Sequence, residues 1–408
     1  MDTAFLQQYK DIVSLGLIDD RYPLEHTCVQ LPNGWYGIDS ILTGFQNVLA
    51  KYEYDEMLLP TVSSSAVFKD IPDEIKDNID QRILTITHTG LHKLDDPYCL
   101  SLHPELITPQ VEKFNARSYR DLPIRRALRY FRYVKPMIPQ EVPLITDCEY
   151  PALDAEGIFA TEEDYNSEAN KVLSDFNKFL EQNLKLSFFT ARTKYALIYY
   201  IILPDSNVLE IARMNYLGRI LSEKIGFQVL ESNNKFAPPL IFDLNITSRI
   251  FAGVVASHSV PHKVILPMHC MRTFGTSYGV DITKLNNKKV RVEVSRFPFT
   301  AERFQKLVEQ GGVFALKPTE NSNQVCIVTE NGETVVEASQ LEAKIVEIME
   351  EREKKIAEHE KQLFNDLHDK AVHYISKDAP VPEGCTVLGT KENEPDVLVA
   401  AKTLLPQQ

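Results

Sequence analysis

The stretch PLIFDLNITSRIFAGVVASHSV at residues 239–260 joins two different patterns within 22 residues. Its first half is rich in β-branched and aromatic residues, which favours a buried strand. Its second half begins near Arg249 and continues as an apolar run long enough for a helix. The sequence therefore predicts a strand followed by a helix.

Composition places the whole chain among ordinary soluble proteins. The 408 residues give room for two or three domains, with 44% apolar and 25% charged residues. No apolar run approaches the roughly 18 residues of a membrane span, and the first residues do not form a secretory signal. A net charge of −13 argues against broad nucleic-acid binding but leaves a local basic patch open. The six cysteines include no C-x-x-C pair, so we expect neither a zinc site nor a disulfide framework, and a cytoplasmic location.

Other stretches extend this α/β pattern along the chain. EMLLPTV at 56–62 and RILTITHTG at 82–90 predict strands, and TEED at 161–164 is a capping box that starts a helix. A long charged helix is expected over 336–376, with a thin apolar stripe. That stripe would either pack on the body of the protein or form a coiled-coil contact with a partner. Residues 377–408 are rich in proline and charge, and predict a flexible tail.

The order of these elements resembles the core of class II aminoacyl-tRNA synthetases, and most of all prolyl-tRNA synthetases of the eukaryotic or archaeal type. No single motif is strong, but their collinear order over roughly residues 4–375 is specific. The segments that carry the resemblance are FLQQYKDIVSLGLIDDRY (5–22), LPNGWYGIDSILTGF (31–45), EMLLPTV (56–62), SYRDLPIR (118–125), GIFATEED (157–164), ITSRIFAGVVASH (246–258), KVILP (263–267) and KKVRVEVS (288–295).

The resemblance implies an α/β (α+β) fold, with an antiparallel sheet flanked by helices. It assigns residues 1–270 to the synthetase-like core and 271–335 to a truncated remnant of the anticodon-binding region, followed by the helix and the tail. Only about 20 residues separate KVILP from KKVRVEVS, where the family has most of its anticodon-binding domain, so anticodon reading is not expected. A homodimer through residues 38–62 is implied, with Ile41, Leu42 and Phe45 as apolar contacts.

Two arginines occupy the family's phosphate positions. Arg249 stands at the γ-phosphate arginine of motif 3, and Arg132 in FRYV at the α-phosphate arginine of motif 2. The register of motif 2 is open, because counting from SYRDLP without a gap puts Val134 at the arginine position. The adenine-clamping glutamate of that motif is missing. An exposed strand arginine and a salt-bridged helix arginine are the structural alternatives.

The amino-acid pocket of the family is altered at several positions. HPE replaces the ammonium-binding T-x-E, with His103 in place of threonine and Glu105 retained. LITDCEY keeps Glu149 and Tyr150 but loses two arginines. ALDAE at 152–156 replaces W-Q-E-G-H, and only Asp154 keeps the character of its glutamate.

Three further positions are candidates for binding nucleotide, metal or substrate. In EIARMNYLG at 210–218, Glu210 stands for a glutamine of the family and would bind nucleotide or Mg²⁺, or else pair with Arg213. His258 is kept in HSV, as a substrate-binding candidate or as a structural histidine at a helix end. Asp243 lies just before Leu244 and Asn245, which replace the family's W-G, and is a further substrate-binding candidate.

Three functions remain compatible with these replacements. The first is an ATP- and Mg²⁺-dependent ligase that activates an amino acid or other carboxylate as an acyl-adenylate and passes it to a non-tRNA acceptor. The second is a catalytically inactive synthetase paralogue that acts as a dimeric binding or regulatory protein. The third is a true prolyl-tRNA synthetase with unusual residues. The sequence leaves open whether the protein is an enzyme.

Overall fold

The computed structural model of the chain describes residues 3–66, 83–100, 104–136, 138–285 and 289–405. Its helices are Thr3–Val13 (α1), Pro32–Leu49 (α2), Thr108–Asn115 (α3), Glu162–Lys178 (α4), Ile220–Lys224 (α5), Arg249–His258 (α6), Ala301–Glu309 (α7) and Leu341–Ala371 (α8). Among these described residues, no helix is long and apolar enough to cross a membrane.

Strands outnumber helices. They are Ile18–Asp19 (β1), Val29–Gln30 (β2), Asp55–Leu58 (β3), Val62–Ser64 (β4), Thr85–Thr89 (β5), His92–Leu100 (β6), Ile124–Tyr133 (β7), Glu149–Phe159 (β8), Phe189–Arg192 (β9), Ala196–Ile202 (β10), Val208–Gly218 (β11), Val229–Leu230 (β12), Phe236–Ala237 (β13), Leu240–Thr247 (β14), Gly275–Ser277 (β15), Val292–Val294 (β16), Phe314–Pro318 (β17), Gln324–Thr329 (β18), Gly332–Glu337 (β19), Val372–Ser376 (β20), Thr386–Lys391 (β21) and Glu394–Ala401 (β22).

A ten-stranded sheet is the frame of the molecule. Its order is β20-β22-β21-β9-β10-β11-β14-β8-β7-β3, antiparallel throughout except that β3 pairs parallel with β7 at one edge. One face is apolar: Ala155, Leu244 and Met214 lie side by side on neighbouring strands, buried under helices α2, α4 and α6. The sheet flanked by helices confirms the predicted fold class.

The opening stretch folds as predicted, into strand β14 and helix α6. All eight residues of β14 are buried, although Asp243, Asn245 and Thr247 alternate with its apolar residues. Arg249 is the first residue of α6. The turn between the two elements therefore brings a cationic side chain to one end of the sheet.

A smaller mixed sheet follows the core. Strands β16-β15-β17-β18-β19 form it, with parallel pairing at β15 and antiparallel pairing from β17 onward, and helix α7 packs on it. This is α/β structure within the segment predicted as an anticodon-region remnant. The domain boundaries at 270 and 335 stay a prediction.

The long helix is α8, and its apolar stripe packs on the body of the protein. Leu341, Ile345, Met349 and Ile356 are all buried. Of the two interpretations of this stripe, packing on the chain itself is the one observed. Most charged residues of the helix face outward. Glu353 and Glu360 are buried, and they accept hydrogen bonds from the Met268 amide and from Ser187.

The prediction of a flexible tail at residues 377–408 is wrong where strands β21 and β22 form. Strands β21 and β22 pair with each other, and β22 also pairs with β20, so this segment extends the large sheet. Val399, Ala400 and Ala401 are fully buried. The apolar run VLVAA at 397–401 outweighs the proline and charge content that suggested disorder.

The side chains expected at a dimer interface lie elsewhere. Ile41, Leu42 and Phe45 are each 1% exposed and belong to the chain's own core, where Phe45 stacks edge-on against Phe176 at 5.1 Å. Helix α2 turns its apolar face inward, so these three residues are unavailable to a partner. Within residues 38–62, the large exposed apolar side chains are Leu58 and Val62.

Candidate functional site

The polar face of the large sheet carries the candidate site. Asp154 on β8 lies directly opposite Asn245 on β14, which lies opposite Arg213 on β11. Two residues further along, Glu156 lies opposite Asp243. Directly paired residues of antiparallel strands share a face, and so do residues two apart on one strand. These side chains therefore project together from the face opposite to that covered by α2, α4 and α6.

A network of short hydrogen bonds joins an arginine to a carboxylate here. Arg132 Nη1 donates to Asn245 Oδ1 at 2.8 Å, and Asn245 Nδ2 donates to Asp154 Oδ1 at 2.5 Å. The Tyr130 hydroxyl donates to the same Asp154 oxygen at 3.0 Å. One amide thus separates a guanidinium from a buried carboxylate. Val134 is buried in an apolar cluster, so the structure places Arg132 rather than Val134 in the site.

Further carboxylates surround Asp154. Glu105, in the single turn Pro104–Leu106, together with Asp154 and Asp243 places three carboxylate oxygens within 4.8 Å of one another. Asp243 Oδ2 accepts a hydrogen bond from Asn215 Nδ2 at 3.2 Å. Asp154, Glu156 and Asp243 are completely buried. Glu105, Asp154, Asp243 and Glu156 are called the acidic cluster below.

Several buried oxygens of this cluster have no hydrogen-bond partner among the described residues. They are Asp154 Oδ2, Asp243 Oδ1, and both carboxylate oxygens of Glu156. A buried, unpaired carboxylate oxygen is costly unless a proton or a cation satisfies it. The cluster therefore offers a binding position for a proton or a cation.

In the ligand-free protein, burial favours the protonated form of the carboxyl groups in this cluster. Burial raises the pKa of Asp154, and the charge of Glu105 adds to this, while hydrogen bonds from Asn245 and Tyr130 and the charge of Arg132 oppose it. Burial and the neighbouring carboxylates also raise the pKa values of Glu156 and Asp243 well above the ordinary range. Each of these shifts favours the protonated carboxyl group, and a bound cation would favour the charged one.

A second basic group stands near Arg132. Arg249 is buried, its Nε donates to the Ile145 carbonyl at 3.1 Å, and its guanidinium lies 5.3 Å from the centre of the Tyr150 ring. Tyr150 is also the direct strand partner of Arg132. The two arginines that the sequence assigns to phosphate thus both lie next to Tyr150.

Two buried donors point to an anion at this end of the site. Arg132 Nε and the Tyr150 hydroxyl have no hydrogen-bond partner among the described residues. With Arg249 beside them, they form a donor set that suits a phosphate or a carboxylate. The residues present therefore fit the phosphate group of a nucleotide.

The loop that carries Ile145 is anchored to the start of the chain. The Tyr9 hydroxyl donates to the Pro143 carbonyl at 3.1 Å, and Cys28 Sγ donates to Asp147 Oδ2 at 3.3 Å. Burial raises the pKa of Asp147 to about 7, although Cys28, the Leu144 amide and Arg249 all favour its charged form. These contacts hold Arg249 in a defined orientation.

Other predicted site residues lie apart. Glu149 is exposed and accepts a hydrogen bond from the Tyr133 hydroxyl at 2.8 Å, on the opposite face of the sheet from Arg132. His258 ends helix α6, about 14 Å along the axis from Arg249. Its Nε2 lies 3.0 Å from the Leu184 carbonyl, and burial lowers its pKa to about 4. These contacts are those of a structural histidine.

Glu210 occupies the position expected for a nucleotide or metal ligand. Both its oxygens accept from Arg213, at 2.9 and 3.1 Å. The structure therefore shows the ion pair that was the alternative interpretation. The carboxylates that converge closely enough for a metal are instead Glu105, Asp154 and Asp243. His103 lies outside the described residues.

Sequence reasoning missed Glu156, Tyr130 and Asn245 as site residues, and treated two of these positions only as losses. A signal for them exists. In EYPALDAEGIF and LIFDLNIT, the polar residues stand two apart within otherwise apolar strands. That spacing puts Asp154 with Glu156, and Asp243 with Asn245, on one face of each strand.

Known proteins with similar sequences are prolyl-tRNA ligases, although no protein-family model matches the chain. The proline–tRNA ligase of Methanopyrus kandleri is 22% identical over 278 residues, which are 64% of this chain and 56% of that protein. The enzyme of Methanocaldococcus jannaschii is 25% identical over 280 residues, 64% of this chain and 60% of its own length. The chain therefore spans little more than half the length of these relatives.

Solved structures give the same result for the fold. Prolyl-tRNA synthetase from Cryptosporidium parvum, complexed with halofuginone and AMPPNP, superposes with a TM-score of 0.85 at 13% identity, covering 98% of both chains. The Giardia lamblia enzyme in complex with prolyl-adenylate superposes at 0.80 with 16% identity and the same coverage. The chain is a divergent protein that is similar to prolyl-tRNA synthetases in sequence and has their fold.

Proposed function

We propose that this protein binds an amino acid in the site between Arg132 and the acidic cluster, and activates its carboxylate with ATP. The observation that carries the proposal is the network Arg132–Asn245–Asp154. It places a cationic and an anionic group one amide apart. An α-amino acid presents the complementary pair of charges, an ammonium and a carboxylate.

The orientation of the substrate follows from the charges. Its ammonium would contact Asp154, Asp243 and Glu105, which offer three closely spaced oxygens for the three N–H donors of an ammonium. Its carboxylate would face Arg132, whose Nε has no hydrogen-bond partner within the described part of the chain and could donate to a carboxylate oxygen. The reacting carboxylate then lies on the side of the site where Arg249 and Tyr150 stand.

ATP is the co-substrate that suits this end, and it would enter as its Mg²⁺ complex. A carboxylate oxygen of the amino acid attacks the α-phosphorus, the bond to the β-phosphate oxygen breaks, and pyrophosphate leaves. Arg132 and Arg249 would stabilise the negative charge that develops on the phosphates. Solved structural neighbours bind AMPPNP or prolyl-adenylate, which supports the use of ATP here. Glu210 is not proposed to bind Mg²⁺, because Arg213 occupies both its oxygens.

The acceptor we propose is not tRNA. A nucleophile, such as an amine, would attack the acyl carbon of the adenylate, and AMP would leave. The support is the short segment between KVILP and KKVRVEVS, where prolyl-tRNA synthetases carry most of their anticodon-binding domain. We also propose a homodimer through the edge strand β3, where Leu58 is 82% exposed.

The test of this function is amino-acid-dependent exchange of labelled pyrophosphate into ATP, measured across a panel of amino acids. The expected result is exchange with at least one of them. In Arg249→Ala that exchange should fall about a hundredfold or more, as on removal of one charge-stabilising group. Arg117→Ala, which lies outside the site, is the matched control. No exchange with any amino acid, together with no binding of ATP, would reject the proposal.

A specific observation favours a second candidate, a non-catalytic protein that binds an amino acid. Arg249 already donates to a backbone carbonyl. This contact occupies a donor of the arginine that stands at the phosphate end of the site. Amino-acid binding by calorimetry without ATP binding would establish this alternative.

A further inference from the structure

The acidic cluster contains more negative charge than one ammonium needs. Beyond Asp154 and Glu105, the sheet adds Asp243 and Glu156, which lie directly opposite each other on β14 and β8. Both are completely buried. Asp243 Oδ1 and both oxygens of Glu156 have no hydrogen-bond partner among the described residues. Asp243 is part of the three-oxygen group with Asp154 and Glu105, so the two oxygens of Glu156 form a second anionic position.

The neighbouring arginine does not neutralise this position. Arg126 is the strand partner of Glu156, but its Nε donates to Glu112 at 2.8 Å and its Nη1 to Asp55 at 3.2 Å. Neither contact is with a Glu156 oxygen, although the charge of Arg126 opposes the rise in the pKa of Glu156. The second anionic position therefore depends on a proton or on a cation from outside the chain.

The distance between the two positions follows from strand geometry. Asp154 and Asn245 form one cross-strand pair, and Glu156 and Asp243 form the pair two residues further along. Two residues of a strand span about 7 Å. Along the same direction, Arg132 lies at the opposite end, before Asp154. The face thus presents a cation, an anionic position and a second anionic position in sequence.

We infer that the substrate is an amino acid with a second cationic group in its side chain, such as ornithine or lysine. Its carboxylate faces Arg132, its α-ammonium contacts Glu105, Asp154 and Asp243, and its side-chain ammonium contacts Glu156. This inference names the substrate class of the proposed function and rests on it for the placement of the α-amino acid group.

An organic ammonium fits these oxygens better than a metal ion. One oxygen of Asp154 is already taken by Asn245 and Tyr130, and one of Asp243 by Asn215. Each of these carboxylates can then offer a single oxygen. A Mg²⁺ or Ca²⁺ ion takes six or more oxygen ligands and would have to bring several waters into this buried position, whereas an ammonium needs three acceptors.

The experiment compares matched ligands by titration calorimetry without ATP. Lysine and norleucine have nearly the same shape and differ in the terminal ammonium. We expect lysine or ornithine to bind about tenfold to a hundredfold more tightly than norleucine, the effect of one charge-assisted contact. In Glu156→Gln that ratio should fall toward one, while Glu358→Gln, on the exposed side of α8, should keep it. Binding should also release protons, seen as a dependence of the heat on the buffer.

The possible outcomes separate this inference from the proposed function. Equal affinity for lysine and norleucine would overturn the inference and leave amino-acid binding intact. Binding of cadaverine (the decarboxylated analogue of lysine) but of no amino acid would support the second cationic position and contradict the proposed function. Saturation by Mg²⁺, Ca²⁺ or Mn²⁺ alone, with loss of lysine binding, would overturn the inference in favour of a metal site.

Discussion

Glu156→Gln should change how the stability of the ligand-free protein depends on pH. Glu156 is completely buried, and both its oxygens have no partner among the described residues, so its pKa is raised well above the ordinary range by burial first and by Glu105 next. In the unfolded chain the same group ionises near pH 4.3. Above that pH the folded state binds one more proton than the unfolded state. Stability therefore falls as pH rises.

The magnitude follows from proton linkage. Each pH unit between the unfolded and the folded pKa removes about 1.4 kcal/mol of unfolding free energy for this one group. Between pH 5 and pH 7 the contribution of Glu156 is therefore at most about 3 kcal/mol, because it ends where the pH reaches the folded pKa. The amide side chain that replaces it in the variant cannot ionise, so this part of the pH dependence should disappear. Any cost of burying the amide is the same at both pH values and cancels in the comparison.

Urea unfolding of the ligand-free protein, followed by circular dichroism at pH 5 and pH 7, measures the effect. The difference in unfolding free energy between the variant and the wild type should shift in favour of the variant from pH 5 to pH 7, by up to about 3 kcal/mol. Glu358→Gln, at an exposed position of α8, should show no such shift. If the curves of Glu156→Gln and wild type stay parallel over this range, Glu156 is not the unpaired buried acid described above.

Three further predictions concern single positions. Arg132→Gln should weaken amino-acid binding about tenfold to a hundredfold in calorimetry, because the substrate carboxylate loses a charged donor; unchanged affinity would remove Arg132 from the site. His258→Gln should leave pyrophosphate exchange unchanged from pH 6 to pH 9. The low pKa keeps this buried histidine neutral over that range, and it lies at the other end of α6 from Arg249. An altered pH profile would contradict its structural role. Leu58→Glu should convert a dimer to a monomer in light scattering at micromolar concentration, and a wild-type monomer would contradict the interface at β3.

The fold could be predicted from the sequence because its determinants are local patterns in a distinctive order. The strand and helix of residues 239–260 follow directly from their apolar pattern. The tail could not be predicted in the same way. Its strands β21 and β22 gain their stability by pairing with residues far away in the chain, and composition alone does not report such pairing.

The candidate site was only partly predictable. Arg132, Arg249, Glu105 and Asp243 were identified from their positions in motifs, and the structure brings them to one face of the sheet. Glu156 needed the cross-strand register, which sets its partner as Asp243 and cannot be derived from one strand alone.

Two individual assignments depended on contacts that no motif encodes. Glu210 is engaged by an arginine three residues away, and His258 by a backbone carbonyl on another element. A residue type at a motif position indicates what chemistry is possible there. Its hydrogen-bond partners decide whether that chemistry is available.

The most direct test of the central claim is pyrophosphate exchange with ATP and Mg²⁺ in the presence of lysine or ornithine, compared with norleucine and proline. We predict exchange that depends on the added amino acid, is strongest with a dibasic one, and is lost in Arg132→Gln. Exchange that is absent with every amino acid, or that persists unchanged in Arg132→Gln, would contradict amino-acid activation at this site.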